Sequence, residues 1–147
     1  MSWRIRTYKY RLIILSQLTR GVSWLFGVTV PPKASAAAFI ERDGRFLVLD
    51  LTYRSGYNFP GGLCDPGENL EGTIHREVHE ETGLIVTNVR YVGSAESFQY
   101  GIPVIVAAFA VEVAPDAEVA SEEGGLHWLP PAEILVELLL RECPSRF

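Results

Sequence analysis

The sequence predicts an α/β domain that is preceded by an N-terminal amphipathic helix. Apolar-rich segments with strand character surround one helical segment in the middle of the chain, and another helical segment lies near its end. Hydrophobic residues make up 48% of the 147 residues and charged residues 21%, which is typical of one globular domain with a sizeable core. The first 30 residues differ from the remainder in charge, so they are predicted to form a separate segment.

The N-terminal helix is predicted for residues 4–26, and Gly27 and the Pro31-Pro32 pair end it. Residues 1–40 contain six basic residues and no acidic residue, so their charge is +6. The rest of the chain has a charge of −11, which gives the net charge of −5. One face of the helix is apolar, with residues at the spacing of helical turns. These residues are Ile5, Tyr8, Leu12, Leu15, Leu18, Val22 and Leu25.

Three interpretations of this helix remain open. It packs on the domain or in a homodimer, it lies on an anionic membrane surface, or it is a secretory signal. Arg20 interrupts the apolar run, which argues against a signal and leaves too few residues for a transmembrane span. Cys64 and Cys143 cannot form a disulfide framework, so we expect a cytoplasmic protein, with peripheral membrane attachment as the alternative.

The domain itself is predicted to span residues 31–147 and to begin with a β-hairpin. Ala36–Glu41 and Arg45–Thr52 are apolar-rich and flank Arg42-Asp43-Gly44, which has turn composition. A short extended piece at Tyr57–Pro60 then leads into a glycine-containing loop. The hairpin is therefore the first predicted element of the sheet.

A helix is predicted from Asn69 to Thr82. The Asn69 side chain suits the N-cap, Glu71 suits the positive end of the helix dipole, and Gly83 suits the C-terminal cap. Both boundaries are therefore indicated by residues with a specific physical role.

Two long strands and a short one are predicted after this helix. They cover Val89–Phe98, Ile102–Val113 and Leu126–Leu129. The second is nearly all apolar, so we expect it to be buried on both faces of the sheet. An acidic loop precedes the third strand, and Pro131 at a first helical position opens a final helix that runs to about Arg141.

Three glutamates of the predicted central helix lie on one side of it. At about 100° per residue, Glu81 lies about 40° from Glu77 in one direction and Glu80 about 60° from it in the other. Crowded carboxylates repel one another unless a cation lies among them, and their hard oxygens suit Mg²⁺ or Mn²⁺. An adjoining apolar stripe is expected to anchor the helix on the sheet, and it consists of Leu70, Ile74 and Val78.

Residues 62–84 carry the most specific pattern in the chain, GLCDPGENLEGTIHREVHEETGL. They resemble the Nudix box, in which a glycine is followed after five residues by a glutamate and after seven more by REUxEExGU, where U is a large aliphatic residue. All nine fixed positions match, at Gly62, Glu68, Arg76, Glu77, Val78, Glu80, Glu81, Gly83 and Leu84. On this box, and on the preceding Phe59-Pro60-Gly61, the chain is identified as a member of the Nudix hydrolase family.

The resemblance implies a fold, a cofactor and a set of roles. The fold would be the Nudix α/β/α sandwich, with a mixed β-sheet between helices. The cofactor would be Mg²⁺, with Mn²⁺ as the alternative, held by Glu77, Glu80 and Glu81 with a carbonyl of Gly61 or Gly62. By the same resemblance, Arg76 pairs with Glu68 and orients the metal ligands.

The activity that the resemblance implies is hydrolysis of a pyrophosphate bond in a nucleoside diphosphate linked to another moiety. Water would attack phosphorus with the help of the metal. Glu80 or Glu81 is a candidate general base, and so is a late-loop residue, Glu122 or Glu123. Two other classes stay open: a membrane-peripheral hydrolase of a lipid-linked or isoprenoid diphosphate, and a nucleotide-sensing module without activity.

Several other residues have competing interpretations. Arg54 and Tyr57 either contact the substrate or belong to a surface loop. His75 and His79 have the spacing of a zinc pair, but they lie opposite the acidic side and are better explained as an exposed helix face. Cys64 is interpreted as a loop filler. The acidic domain argues against binding to nucleic acid over a broad surface, because the phosphates would be repelled.

Overall fold

The computed structural model describes residues 25, 31–51, 56–99, 102–114 and 124–142. The helix predicted for residues 4–26 falls outside these residues, apart from Leu25, so the predicted membrane or homodimer contact through it stays a prediction. Arg54 and the acidic loop with Glu122 and Glu123 also lie outside the described residues. Within the described ranges, no helix has the length and hydrophobicity needed to cross a bilayer.

Seven strands and two helices form in the described part of the chain. In order they are β1 (Lys33–Arg42), β2 (Arg45–Leu51), β3 (Tyr57–Asn58), β4 (Gly61–Leu63), α1 (Leu70–Thr82), β5 (Val86–Gln99), β6 (Ile102–Val113), β7 (Gly124–Leu129) and α2 (Pro131–Glu142). The seven strands form one sheet in the order β3-β2-β1-β6-β5, in which β4 pairs with β1 and β7 pairs with β2. Strands β1 and β6 are parallel and the other pairs are antiparallel, so the predicted mixed sheet is confirmed.

The predicted hairpin is confirmed as β1 and β2. Asp43 and Gly44 form its two-residue turn, and both have positive φ angles, 53° and 74°. Two residues with positive φ give a turn whose twist matches that of the flanking strands, and Asp-Gly is a favoured pair for it. The Glu41 carboxylate accepts a hydrogen bond from the Gly44 N–H at 2.6 Å. The sequence Asp-Gly therefore fixes the pairing of β1 with β2.

Helix α1 begins and ends where its capping residues predict. The Asn69 side chain accepts a hydrogen bond from the Gly72 N–H at 2.7 Å, and Gly83 adopts a left-handed conformation with φ 71°. Ile74 and Val78 are fully buried in the main core, and Leu70 packs against its edge. The predicted apolar stripe therefore anchors α1 on the sheet. This packing sets the direction in which the glutamates of α1 project.

Two features of the sheet differ from the predictions. The loop predicted after Tyr57–Pro60 contains the short strand β4, because Gly61–Leu63 pairs with β1 through contacts that are distant in sequence. Strand β6 is not buried on both faces: Ile105 is 43% exposed and Glu112 is also exposed. Apolar composition does not reveal which part of a strand a helix covers, and Ile105 lies outside the core cluster beneath α1.

Candidate active site

Strand β4 lies beside the glutamate side of α1. Its register on β1 pairs Ala37 with Gly61 and Ala36 with Gly62. The Gly61 N–H donates a hydrogen bond to the Glu81 carboxylate at 2.9 Å. Two carboxylates of α1 thus meet two consecutive glycines, since the Glu77 carboxylate packs against Gly62.

Both glycines are required by close contacts. Gly61 has a φ of 148°, and a Cβ there would lie 2.9 Å from the Ala37 Cα. A Cβ on Gly62 would lie 2.6 Å from the Glu77 Cδ. Contacts this short are essentially absent from real proteins, so a larger residue at Gly61 meets rigid backbone and one at Gly62 displaces a glutamate side chain.

Arg76 organises the acidic side of α1. Its guanidinium has five N–H groups and makes five hydrogen bonds. Nε and Nη2 donate to the two oxygens of Glu68 at 3.0 and 2.9 Å, and Nη2 also donates to the Leu63 carbonyl at 3.2 Å. Nη1 donates to Glu77 at 2.8 Å and to Glu80 at 3.4 Å. One planar group therefore connects the loop before α1 with two of the helix glutamates.

Glu68 is held as an anion by its neighbours. Besides the two bonds from Arg76, it accepts hydrogen bonds from the Thr73 hydroxyl at 2.8 Å and from the Asp65 N–H at 3.1 Å. The hydrogen bonding from Arg76 is the main cause that lowers the pKa of Glu68 to about 2. These donors occupy the oxygens of Glu68, so the carboxylate is well suited to fixing Arg76 and poorly suited to accepting a proton.

Replacement of Glu68 by glutamine is expected to lower the free energy of unfolding at pH 7 by at most about 3 kcal/mol. A carboxyl whose pKa is depressed on folding contributes stability that is fully present above its usual pKa and is lost as the pH falls toward its folded value. The usual pKa is 4.5 and the pKa of folded Glu68 is about 2. The difference in unfolding free energy between the wild type and Glu68→Gln should therefore shrink as the pH falls from 4.5 to about 2.

Urea unfolding of both proteins at pH 7, 4 and 3 measures this difference, because titrating groups outside the cluster around Arg76 contribute equally to both and cancel. A stability difference that stays constant from pH 7 to pH 3 would contradict the role assigned to the Glu68 anion.

Glu77 is the most buried of the three glutamates bonded to Arg76, with its side chain 15% exposed. Burial is the main cause that raises its pKa, and the neighbouring charges of Glu80 and Glu68 raise it further, whereas Arg76 lowers it. Glu80, by comparison, is 56% exposed in its side chain. Burying this carboxylate beside other carboxylates is costly, and a divalent cation bound among them would lower that cost.

The donor types fit a hard divalent cation. Glu77, Glu80 and Glu81 provide carboxylate oxygens on one side of a well-anchored helix, next to a glycine backbone. In the described ranges, however, no three acidic, histidine or cysteine side chains converge closely enough to form a coordination sphere. Arg76 bridges Glu77 and Glu80 instead. Because Glu80 is largely exposed, its side chain has room to turn toward an entering cation.

The remaining predicted residues lie elsewhere. Tyr57 lies on β3, which pairs with β2, and it contacts His127 edge-on with ring centroids 5.4 Å apart. His75 and His79 are exposed, as predicted for an outer helix face. Cys64 is partly buried, and its N–H donates to the Ala34 carbonyl.

Sequence reasoning missed two buried hydroxyls beside the site, those of Ser35 and Thr73. Ser35 is 1% exposed and donates to the Gly62 carbonyl, and Thr73 is fully buried and donates to Glu68. A single polar residue in the apolar stretch Ala34–Phe39 was the signal for Ser35. Thr73 lies four residues after the N-cap Asn69, inside the helix, and nothing in the sequence around it indicated a buried hydroxyl.

Comparisons with known proteins identify one and the same family. A profile of the NUDIX domain matches residues 31–146. CTP pyrophosphohydrolase of Escherichia coli is 32% identical over 103 residues, which are 67% of this chain and 76% of that protein. NAD-capped RNA hydrolase NudC of Vibrio parahaemolyticus is 51% identical over 43 residues, but these cover 29% of this chain and 16% of NudC. The chain thus spans only a small part of that relative.

The fold also matches solved structures. A NUDIX hydrolase from Nitrosomonas europaea superposes with a TM-score of 0.62 and 26% identity, and the match covers 74% of this chain and 79% of that one. The likeness extends well beyond the helix and loop of the acidic site to most of the sheet. Sequence and structure comparisons therefore agree on the same domain.

Proposed function

The chain belongs to the NUDIX family, and from this premise we propose that it hydrolyses a pyrophosphate bond in a nucleoside diphosphate linked to another moiety. The observation that carries the proposal is the set of five hydrogen bonds made by Arg76, which join Glu68, Glu77 and Glu80 to one another and to the Leu63 carbonyl of β4. A row of carboxylates on a well-anchored helix, with an arginine beside it, suits the binding of a metal and a charged phosphate. Residues 31–147 would form the catalytic domain of a cytoplasmic enzyme, and residues 1–30 a separate helix.

Mg²⁺ is the proposed cofactor, with Mn²⁺ as the alternative, and Glu77, Glu80 and Glu81 are its proposed ligands. When bound, such an ion neutralises charge on the phosphate oxygens and lowers the pKa of the attacking water. Of the two loop carbonyls, we favour that of Gly61. The Gly62 carbonyl accepts the Ser35 hydroxyl from β1 at 2.8 Å, whereas the Gly61 N–H faces Glu81.

The side chains divide the remaining tasks. Arg76 and Glu68 orient Glu77 and Glu80, and this pair is fixed by its own hydrogen bonds before a substrate arrives. Glu80 is a suitable general base because it is the exposed member of the group, so that a water molecule can reach it. Glu81, Glu122 and Glu123 are the other candidate bases, and Arg54 and Tyr57 are candidate contacts for the substrate.

The substrate class rests on the shared chemistry of the relatives rather than on any one of them. One relative is named for CTP and another for NAD-capped RNA, so both names refer to nucleotides. A nucleoside diphosphate linkage is the feature that we carry over to this chain. The group attached to the second phosphate is left to experiment.

We expect phosphate release from at least one compound in a panel of diphosphates when Mg²⁺ is present, and none when EDTA is added. The panel contains nucleotide sugars, ADP-ribose, dinucleoside polyphosphates, dNTPs and isoprenoid diphosphates, with a coupled phosphatase where the product requires it. Cleavage that persists in EDTA would contradict the metal-dependent mechanism. Cleavage of isoprenoid diphosphates alone would favour the membrane-peripheral alternative, and tight binding without cleavage would favour a sensing module.

A further inference from the structure

Ser35 is a buried hydroxyl in contact with the glycine loop of the site. It lies on β1, is 1% exposed, and pairs with Leu63 of β4 across the ladder. Its hydroxyl donates a hydrogen bond to the Gly62 carbonyl at 2.8 Å. A buried hydroxyl is costly unless it is hydrogen-bonded, and this bond meets that requirement. It adds a side-chain hydrogen bond to the backbone pairing of β1 with β4.

The segment that Ser35 holds touches α1 at each of its three residues. The Gly61 N–H donates to Glu81, the Glu77 carboxylate packs against Gly62, and the Leu63 carbonyl accepts from Arg76. A shift of β4 along or away from β1 would therefore disturb the contacts of Gly61, Gly62 and Leu63 together. With only three residues, β4 has few ladder bonds of its own to resist that shift.

We propose that Ser35 is a positioning residue that sets the metal affinity of the site by fixing the Gly62 carbonyl and, through it, the loop against which Glu77 and Glu81 lie. The inference rests on the proposed function, because it assumes that these glutamates bind a divalent cation. Ser35 is linked to these glutamates through β4, whose Gly62 carbonyl accepts its hydroxyl. Residues that orient metal ligands from behind typically change metal affinity about 10- to 100-fold when they are replaced.

Thr82 provides a matched comparison for a purely structural hydroxyl. It is fully buried, its hydroxyl donates to the Val78 carbonyl at 2.6 Å, and it accepts from the Leu84 N–H at 3.2 Å. These bonds close the end of α1 on its core side. Replacing Thr82 by valine removes a buried hydroxyl of similar kind without altering the contact between Ser35 and β4.

The test measures Mn²⁺ binding to the full chain by the loss of the free-ion EPR signal. We expect the dissociation constant of Ser35→Ala to rise about tenfold over the wild type, as for other ligand-orienting residues. Ser35→Cys replaces the hydroxyl by a slightly larger thiol that is a weaker donor, so its constant should lie between those of the wild type and Ser35→Ala. Thr82→Val should bind Mn²⁺ like the wild type. Thermal unfolding of all four proteins checks that each is folded at the temperature of the measurement.

The outcomes separate this inference from the proposed function. If the wild type binds Mn²⁺ and Ser35→Ala binds it equally well, the positioning role of Ser35 is wrong and the proposed metal site stands. If Thr82→Val loses affinity as much as Ser35→Ala, loss of a buried hydroxyl in general is the cause and the inference also fails. If the wild type itself does not bind Mn²⁺, both the metal site and the inference are overturned.

Discussion

Replacing Glu80 or Glu81 by glutamine is expected to lower turnover about a thousandfold, a loss of about 4 kcal/mol of transition-state stabilisation. Each substitution removes one charge from the proposed metal site and keeps the size of the side chain. The fold should be retained, because Glu80 is exposed and Glu81 is only partly buried. Initial rates at saturating Mg²⁺, together with circular dichroism and thermal unfolding, measure both effects.

Glu71→Gln is the matched control for these variants. Glu71 is an exposed glutamate in the first turn of the same helix, outside the group around Arg76. Its replacement removes the same charge from α1 and should change turnover less than about twofold, with a stability loss of a few tenths of a kcal/mol from the helix dipole. Wild-type turnover in both Glu80→Gln and Glu81→Gln would show that the acidic side of α1 has been misinterpreted.

The parts of the fold that local sequence determines were predicted with accurate boundaries. Asn69 and Gly83 mark the ends of α1 because one accepts a backbone N–H and the other adopts a positive φ angle. Asp43 and Gly44 mark the hairpin for the same kind of reason. Such residues act on their immediate neighbours, so their effect is visible in a short stretch of sequence.

The parts that depend on distant contacts were not predicted. β4 is three residues long, and its strand character comes from residues of β1 that lie 24 to 28 positions earlier in the chain. Ile105 is 43% exposed and lies outside the core cluster, although it belongs to the same apolar strand as Phe109 and Val111 of that cluster. Long-range pairing and coverage are tertiary properties, and they override local composition.

The candidate site shows the same division. Spacing on the helix predicted that Glu77, Glu80 and Glu81 share one side, and the resemblance to the family implied that Arg76 pairs with Glu68. The sequence could not tell that Arg76 also reaches the Leu63 carbonyl, or that burial raises the pKa of Glu77. Both facts depend on how closely β4 approaches α1, which is a consequence of the two glycines.

Replacing Gly61 by alanine is therefore expected to destabilise the fold by about 3 kcal/mol or more, through backbone overlap and an unfavourable φ angle. A Cβ at this position meets the backbone of Ala36 and Ala37, which belongs to the central strand β1 and cannot move away. Gly44→Ala is the control for the φ angle alone: its φ is 74° and nothing lies within 4 Å of the added carbon. That variant should lose only about 1 to 2 kcal/mol and keep wild-type turnover.

Gly62→Ala is expected to show the opposite balance, with a stability loss of about 1 to 2 kcal/mol but a fall in turnover of about a hundredfold. Its Cβ meets the carboxylate end of Glu77, which is a side chain that can shift without disturbing the sheet. The shift relieves the overlap but moves the Glu77 carboxylate out of place, and a displacement of about 1 Å is sufficient to cost that much rate. Urea unfolding and initial rates for the three glycine variants measure both quantities. If Gly62→Ala lost stability as severely as Gly61→Ala and kept full turnover per folded molecule, the contact between Gly62 and Glu77 would have no part in catalysis.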